Sequence, residues 1–226
     1  MLAHLLFIAT AILPGTMTTE AQGNIYLSNL GEVSAGIYNL GAGLSMAQPF
    51  QSGSNTAGYD LNSIQILMGA EDSSANNFSL LLCADNAGLP GNTLTALNGS
   101  ANPINSGVYT YTASGLTLSP STVYWIVATT EAPAISFYHW EIASSANYTA
   151  SDGWSLNSEI PYGYIVSSAG SYTGNGLDPM QFAVEATPVP EPGVPILAGV
   201  GLVAIFLKRQ KCLAIAKHFS LFKKHF

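Results

Sequence analysis

Thr122-Val123-Tyr124-Trp125-Ile126-Val127-Ala128-Thr129-Thr130 is the run whose reading decides the fold. From Val123 to Val127 every side chain is large and apolar, so both faces of an extended strand would be apolar there. Such a strand needs cover on both sides, which predicts a central position in a two-sheet β-sandwich.

Around it, from Gln22 to Ala186, short apolar or alternating runs are punctuated by Gly, Asn, Asp and Pro. The pattern predicts strands over 24–28, 35–40, 47–50, 59–68, 77–84, 93–97, 108–112, 122–130, 136–142, 162–166 and 180–186. Asp85-Asn86-Ala87-Gly88-Leu89-Pro90-Gly91 reads as a turn. No helix-length run with a clean apolar stripe interrupts the series. The expected fold is all-β, a single jelly-roll-like β-sandwich domain over residues 22–186.

Only 8% of the residues are charged against 48% hydrophobic, where soluble domains carry about 25% charged residues. The polar surface must come from Ser, Thr, Asn, Gln and Gly. All six Lys and Arg lie at or after Lys208, and all thirteen Asp and Glu lie at or before Glu191. The body is thus purely acidic and the tail purely basic. A body without a cation offers no footprint for a phosphate backbone, which argues against nucleic acid as a partner. The two cysteines, Cys83 and Cys212, cannot build a disulfide framework or a cysteine zinc site. Cys83, inside Phe78-Ser79-Leu80-Leu81-Leu82-Cys83-Ala84, reads as a small buried hydrophobe.

The two ends read as addresses. Leu2 to Leu13 is an apolar stretch of signal-peptide length, followed by Pro14-Gly15 and a polar segment ending Thr19-Glu20-Ala21. Small residues at Thr19 and Ala21 predict cleavage after Ala21, so residues 1–21 form a signal peptide and the mature chain starts at Gln22. At the other end, residues 187–193 read as a stiff Pro-rich linker. Residues 194–207 are uncharged and form a single hydrophobic helix of ~21 Å, short of the ~30 Å hydrocarbon core and marginal as a permanent span. Residues 208–226 form a basic cytoplasmic tail whose stop signal is Lys208, Arg209 and Lys211. Within it Ile215, Phe219, Phe222 and Phe226 share one helical face opposite Lys217 and Lys224, the pattern of an interfacial helix.

The order Val189-Pro190-Glu191-Pro192, apolar helix with Gly199 and Gly201, and Lys/Arg stop resembles the PEP-CTERM sorting signal of biofilm-forming Gram-negative bacteria. The resemblance makes Pro190, Glu191 and Pro192 the sorting motif and implies an intramembrane transpeptidase of the exosortase type as processing partner. It also implies transient membrane residence through the helix, then a place at the cell surface or in the extracellular matrix. The chain departs from the family in the fifteen residues after Lys211. A second resemblance, over about 47–143, is to the choice-of-anchor R domain of bacterial surface modules. It is carried by Gln48-Pro49-Phe50 with Gly58-Tyr59-Asp60-Leu61, by Phe78-Ser79-Leu80-Leu81-Leu82 with Gly88-Leu89-Pro90-Gly91, and by Tyr111 to Pro120 leading into Tyr124-Trp125-Ile126-Val127. That family brings no established activity.

Titratable chemistry is sparse. His139 is the single histidine between the end segments, and alternation places it with Phe137 and Glu141 on one face, opposite Trp140. No Gly-x-Ser-x-Gly elbow and no second cation accompany it, so it reads as a hydrogen-bonded strand histidine. A glycosidase would need two carboxylates, drawn from Glu71, Asp72, Glu131, Glu141, Asp152 and Glu159. The Asp-x-Asp/Asn-x-Asp/Asn-Gly calcium loop is absent. These readings predict a non-enzymatic structural or interaction protein without cofactor or metal. The alternative is a carbohydrate-binding module for extracellular polysaccharide, with Trp154, Trp140 and Tyr138 as platform; a glycoside hydrolase ranks third. Of the tryptophans, Trp125 and Trp140 read as core, while Trp154, after the Asp152-Gly153 turn, is placed for a loop to present.

Overall fold

The computed structural model describes residues 23–41, 44–70, 77–130, 137–156, 164–167, 172–174 and 178–191. The expected signal peptide of residues 1–21, Pro192, the expected hydrophobic helix of residues 194–207 and the basic residues 208–226 lie outside these residues. Among the described residues fourteen strands are found, in chain order β1 (Asn24–Ser28), β2 (Ser34–Leu40), β3 (Leu44–Gln51), β4 (Tyr59–Met68), β5 (Phe78–Asp85), β6 (Pro90–Ala96) and β7 (Gly107–Thr112). Then follow β8 (Thr117–Leu118), β9 (Val123–Thr130), β10 (Tyr138–Ala143), β11 (Thr149–Ala150), β12 (Tyr164–Ser167), β13 (Tyr172–Gly174) and β14 (Phe182–Pro188). Among the described residues there is no helix.

The strands form two antiparallel sheets. One runs β11-β1-β14-β4-β10-β2, with β7 and β8 along the opposite edge of β4; the other runs β13-β12-β3-β9-β5-β6. Their facing sides meet in one core, to which Ile64, Ile66, Phe182 and Val184 contribute from the first sheet and Phe50, Leu80, Leu82 and Ile126 from the second. The arrangement is all-β and compatible with a β-sandwich.

β9 occupies the central place that its two apolar faces predict, between β3 and β5. Tyr124, Ile126 and Ala128 point into the main core. Trp125 and Val127 point the other way and form a separate cluster with Ala47 and Cys83. The Trp125 indole donates to Asp85 Oδ1 at 2.8 Å, and burial pushes the Cys83 thiol up from its ordinary value.

In β4 the apolar residues Tyr59 and Leu61 are followed by two polar ones, Asn62 and Ser63, before Ile64, Ile66 and Met68. A strict alternation would put the second set on the wrong face. The register resolves this: Leu61 pairs with Ala186 and Ser63 with Glu185, so that Asn62 is the extra residue of a bulge and both apolar sets stay inside. β3 contains Pro49, which has no N–H for a ladder. Pro49 lies opposite Trp125 of β9, while the described residues of β12 on the other side pair with Leu44 to Ala47. Between β5 and β6 the expected turn closes as a two-residue hairpin. Ala87 and Gly88 take φ of 55° and 81°, flanked by the reciprocal bonds Asn86 N–H to Leu89 O (2.8 Å) and Leu89 N–H to Asn86 O (3.3 Å).

All eleven predicted strands have a counterpart. The corrections are at the ends and in the shortest pieces. β14 continues through Pro188, pairing Thr187 with Asp60 and Pro188 with Tyr59, so the first two residues of the expected linker belong to the sheet. β8, β11 and β13 escape a sequence reading because two or three residues are too few to show alternation.

Just before β14, where Met180 bridges Ile142, side chains take the backbone groups that the ladder leaves over. Met180 N–H donates to Gln48 Oε1 at 2.9 Å, Asn29 Nδ2 donates to Met180 O at 2.8 Å, and Phe182 N–H donates to Asn29 Oδ1 at 2.7 Å. Both amides are buried. Asn29→Ala should therefore strand two buried backbone groups and destabilise by ~2–4 kcal/mol, read from the urea midpoint. A loss below ~1 kcal/mol would mean that the groups find other partners.

Burial also holds the Tyr111 phenol protonated well above its ordinary 10.0, with Tyr109 and Tyr138 adding to the effect. A neutral acid whose pKa folding has raised contributes stability that is present below its unfolded pKa and lost as pH rises above it. Stability should thus be level at neutral pH and fall from about pH 10 upward, and Tyr111→Phe should flatten that fall. Urea melts across the alkaline range check it; an unchanged slope in the variant would assign the loss to other groups.

Candidate functional site

The aromatic platform expected for a sugar does not form. Trp154 is 3% exposed, and Trp140 and Tyr138 are fully buried. Asp152 and Gly153, with φ of 51° and 81°, make the turn that the sequence suggests, closed by Trp154 N–H to Ser151 O at 2.9 Å. The chain beyond it is drawn back onto the body. Ser155 exchanges both backbone hydrogen bonds with Gln51 at the end of β3, at 2.8 and 3.1 Å. This pins the segment and turns Trp154 inward.

There the indole packs between Tyr26, at 5.5 Å and 23°, and Phe50, at 6.0 Å and 7°, with Tyr59 edge-on at 5.1 Å. Gly53 makes the seat: a Cβ there would lie 2.5 Å from the indole and from the Tyr59 hydroxyl. Trp154 Nε1 has no hydrogen-bond partner among the described residues. Trp140 donates through Nε1 to Gln181 O at 2.9 Å. The Tyr138 hydroxyl reaches Asn102 Oδ1 at 2.8 Å, and its ring meets Phe78 edge-on. All three are core aromatics.

His139 is a buried strand histidine with Nδ1 on Ala70 O. Glu141, on the same strand, takes a short hydrogen bond from Ser34. The serine thus faces the carboxylate, whereas nucleophilic activation needs it against the imidazole. Of the six carboxylates considered for glycosidase chemistry, Glu71, Asp72, Glu131 and Glu159 lie outside the described residues. Among the described residues no group of three His, Cys, Asp or Glu side chains is placed to hold a metal ion.

The feature that sequence reasoning missed is where the chain leaves β14. The β-turn Asn55–Gly58, closed by Gly58 N–H to Asn55 O at 2.8 Å, stands beside that exit. Val189 N–H donates to Gly58 O at 3.0 Å. Asn55 Nδ2 donates to Gly58 O at 2.7 Å and to Val189 O at 3.0 Å. Thr56 Oγ1 donates to Glu191 Oε1 at 2.6 Å. Gly58 has φ of 85°, and a Cβ on it would lie 2.4 Å from Leu118 O, so glycine alone suits the position. Asn55, Tyr59, Asp152, Val189, Pro190 and Glu191 are among the residues that line an open groove of about 540 Å³. Of the expected sorting motif, Pro190 and Glu191 fall within the described residues; both are exposed, and Glu191 is bonded to the body through Thr56. Ala21, Pro192, Lys208, Arg209 and Lys211 lie outside the described residues. The only sequence signal for this contact was Asn55-Thr56-Ala57-Gly58 as a turn; its partner lies far along the chain.

Trp154→Ala should cost about 3–5 kcal/mol, as removal of a buried aromatic does. Chemical denaturation measures it, and a change under ~1 kcal/mol with loss of retention on polysaccharide gels would restore the platform reading.

No family model matches the chain, and no curated protein matches it.

Proposed function

We propose that this chain is an exported structural or interaction protein of the cell surface or extracellular biofilm matrix, delivered through a C-terminal sorting signal. In this reading a jelly-roll-like β-sandwich is the working module, flanked by the signal peptide of residues 1–21 and the hydrophobic helix of residues 194–207. The module resembles choice-of-anchor R domains over about 47–143. The observation that carries the reading is the segregation of charge. Thirteen acidic residues end at Glu191 and six basic ones begin at Lys208, on either side of an uncharged apolar run. The exit of β14 into Val189-Pro190-Glu191 at the surface fits a motif that a membrane enzyme must reach.

The partners in this reading are an exosortase-type processing enzyme and, transiently, the membrane. Matrix polysaccharide stands as a contact of the whole surface; burial of Trp154, Trp140 and Tyr138 removes the aromatic platform from that reading. Nucleic acid is not a partner, since no Lys or Arg precedes Lys208. Sorting of this kind cuts the chain at both ends. Intact mass of the surface form should correspond to a species from Gln22 to Pro190 or Pro192. A steady-state surface species that keeps Phe226 would remove the processing claim.

A further inference from the structure

We propose that the Asn55–Gly58 turn is a clasp that tethers the exposed first half of the Pro190-Glu191-Pro192 motif to the body and slows its processing. The inference rests on the sorting reading above and adds a regulatory contact to it. Its basis is the set of bonds that joins the turn to the exit segment. The Gly58 carbonyl and the Asn55 amide hold both backbone polar groups of Val189, at 3.0 Å each. The Thr56 hydroxyl holds the Glu191 carboxylate at 2.6 Å. Pro190, between them, has no N–H to offer and a fixed φ, so two pinned neighbours leave it little freedom. Asn55 is itself anchored, with its backbone N–H on the Tyr59 hydroxyl at 3.3 Å. The turn is therefore continuous with the core that Tyr59 shares with Trp154.

An enzyme that cuts an extended segment must draw it away from the body, and the rate then follows the population of the open form. Glu191 matters most, because it is the one charged side chain of the motif and the clasp engages its carboxylate directly. The bonds are at the surface and individually modest, so the clasp is a bias that opening overcomes, not a lock. Gly58 and Leu118 fix the turn's shape, since no side chain fits at position 58. The receptor half of the contact is thereby built into the fold whether or not the exit segment occupies it.

The test uses the full chain in two settings. In detergent micelles, hydrogen exchange of the Val189 amide reports the clasp. In an exosortase-bearing host, pulse-chase mass analysis reports processing. Thr56→Val and, separately, Asn55→Ala should speed Val189 exchange by about threefold to tenfold and speed processing by a similar factor. Thr56→Ser should restore both. A native chain whose Val189 amide is unprotected would overturn the clasp. Faster exchange with unchanged processing would overturn the gating while leaving the sorting reading intact. Absence of processing in every chain would sink the sorting reading and the gating with it, and Val189 protection would still show the clasp as a contact.

Discussion

Met180 sits where β14, the strand that organises one sheet, has not yet begun; it is buried and bridges Ile142 of β10. A buried N–H and C=O without partners would each oppose folding by about 1–3 kcal/mol. Gln48 reaches across from β3 to take the N–H, and Asn29 takes the carbonyl and also holds Phe182 N–H. This small amide junction fixes the height at which β14 enters, and everything downstream inherits it. Ala183 to Glu185 pair with Ser63 to Gln65, the bulge at Asn62 absorbs one residue, and Tyr59 arrives beside Pro188. The same junction ties the first sheet to the second through a side chain of β3.

The body must be held by such neutral contacts. It contains no Lys or Arg, so no Lys or Arg ion pair can link its strands, and its described cysteine, Cys83, is free. Cohesion falls to apolar burial and to uncharged hydrogen bonds. Aromatics take a large share: Tyr26, Phe50, Tyr59 and Trp154 close one end of the core, and Phe78, Tyr111 and Tyr138 form another cluster. The hydroxyls of Tyr59, Tyr111 and Tyr138 find partners, as when Tyr111 donates to Ser100 O at 2.9 Å, which lets these large side chains be buried in a chain so poor in charge.

The strand framework was legible because its signal is local. The bounds of β1 and β4 agree with the sequence reading, and β9 announces its central place by apolar residues on both faces. What stayed hidden depends on pairings between distant segments. Trp154 follows a turn, and a turn normally exposes its neighbours; only the bridge from Ser155 to Gln51 tells that the chain doubles back. His139 and Trp140 were separable by alternation alone, since both lie in one strand. The contact of Asn55 and Thr56 with Val189 and Glu191 joins positions more than a hundred residues apart, and nothing local in either segment marks it.

The placement of β14 bears on how a tethered module would carry load. If the body is attached through its C-terminus, force enters at Pro188 and runs along the strand. β14 is an inner strand, flanked by β1 on one side and by β4 on the other, both antiparallel to it. An edge strand under tension unzips one bond at a time. An inner strand pulled along its length must shear two ladders together, so its bonds resist in parallel. The clasp at Asn55–Gly58 lies beyond the last pair, Pro188 with Tyr59, and would bear load before the ladders do. Its opening would free Glu191 from Thr56 and leave the sheet untouched, which separates release of the exit segment from unfolding of the body.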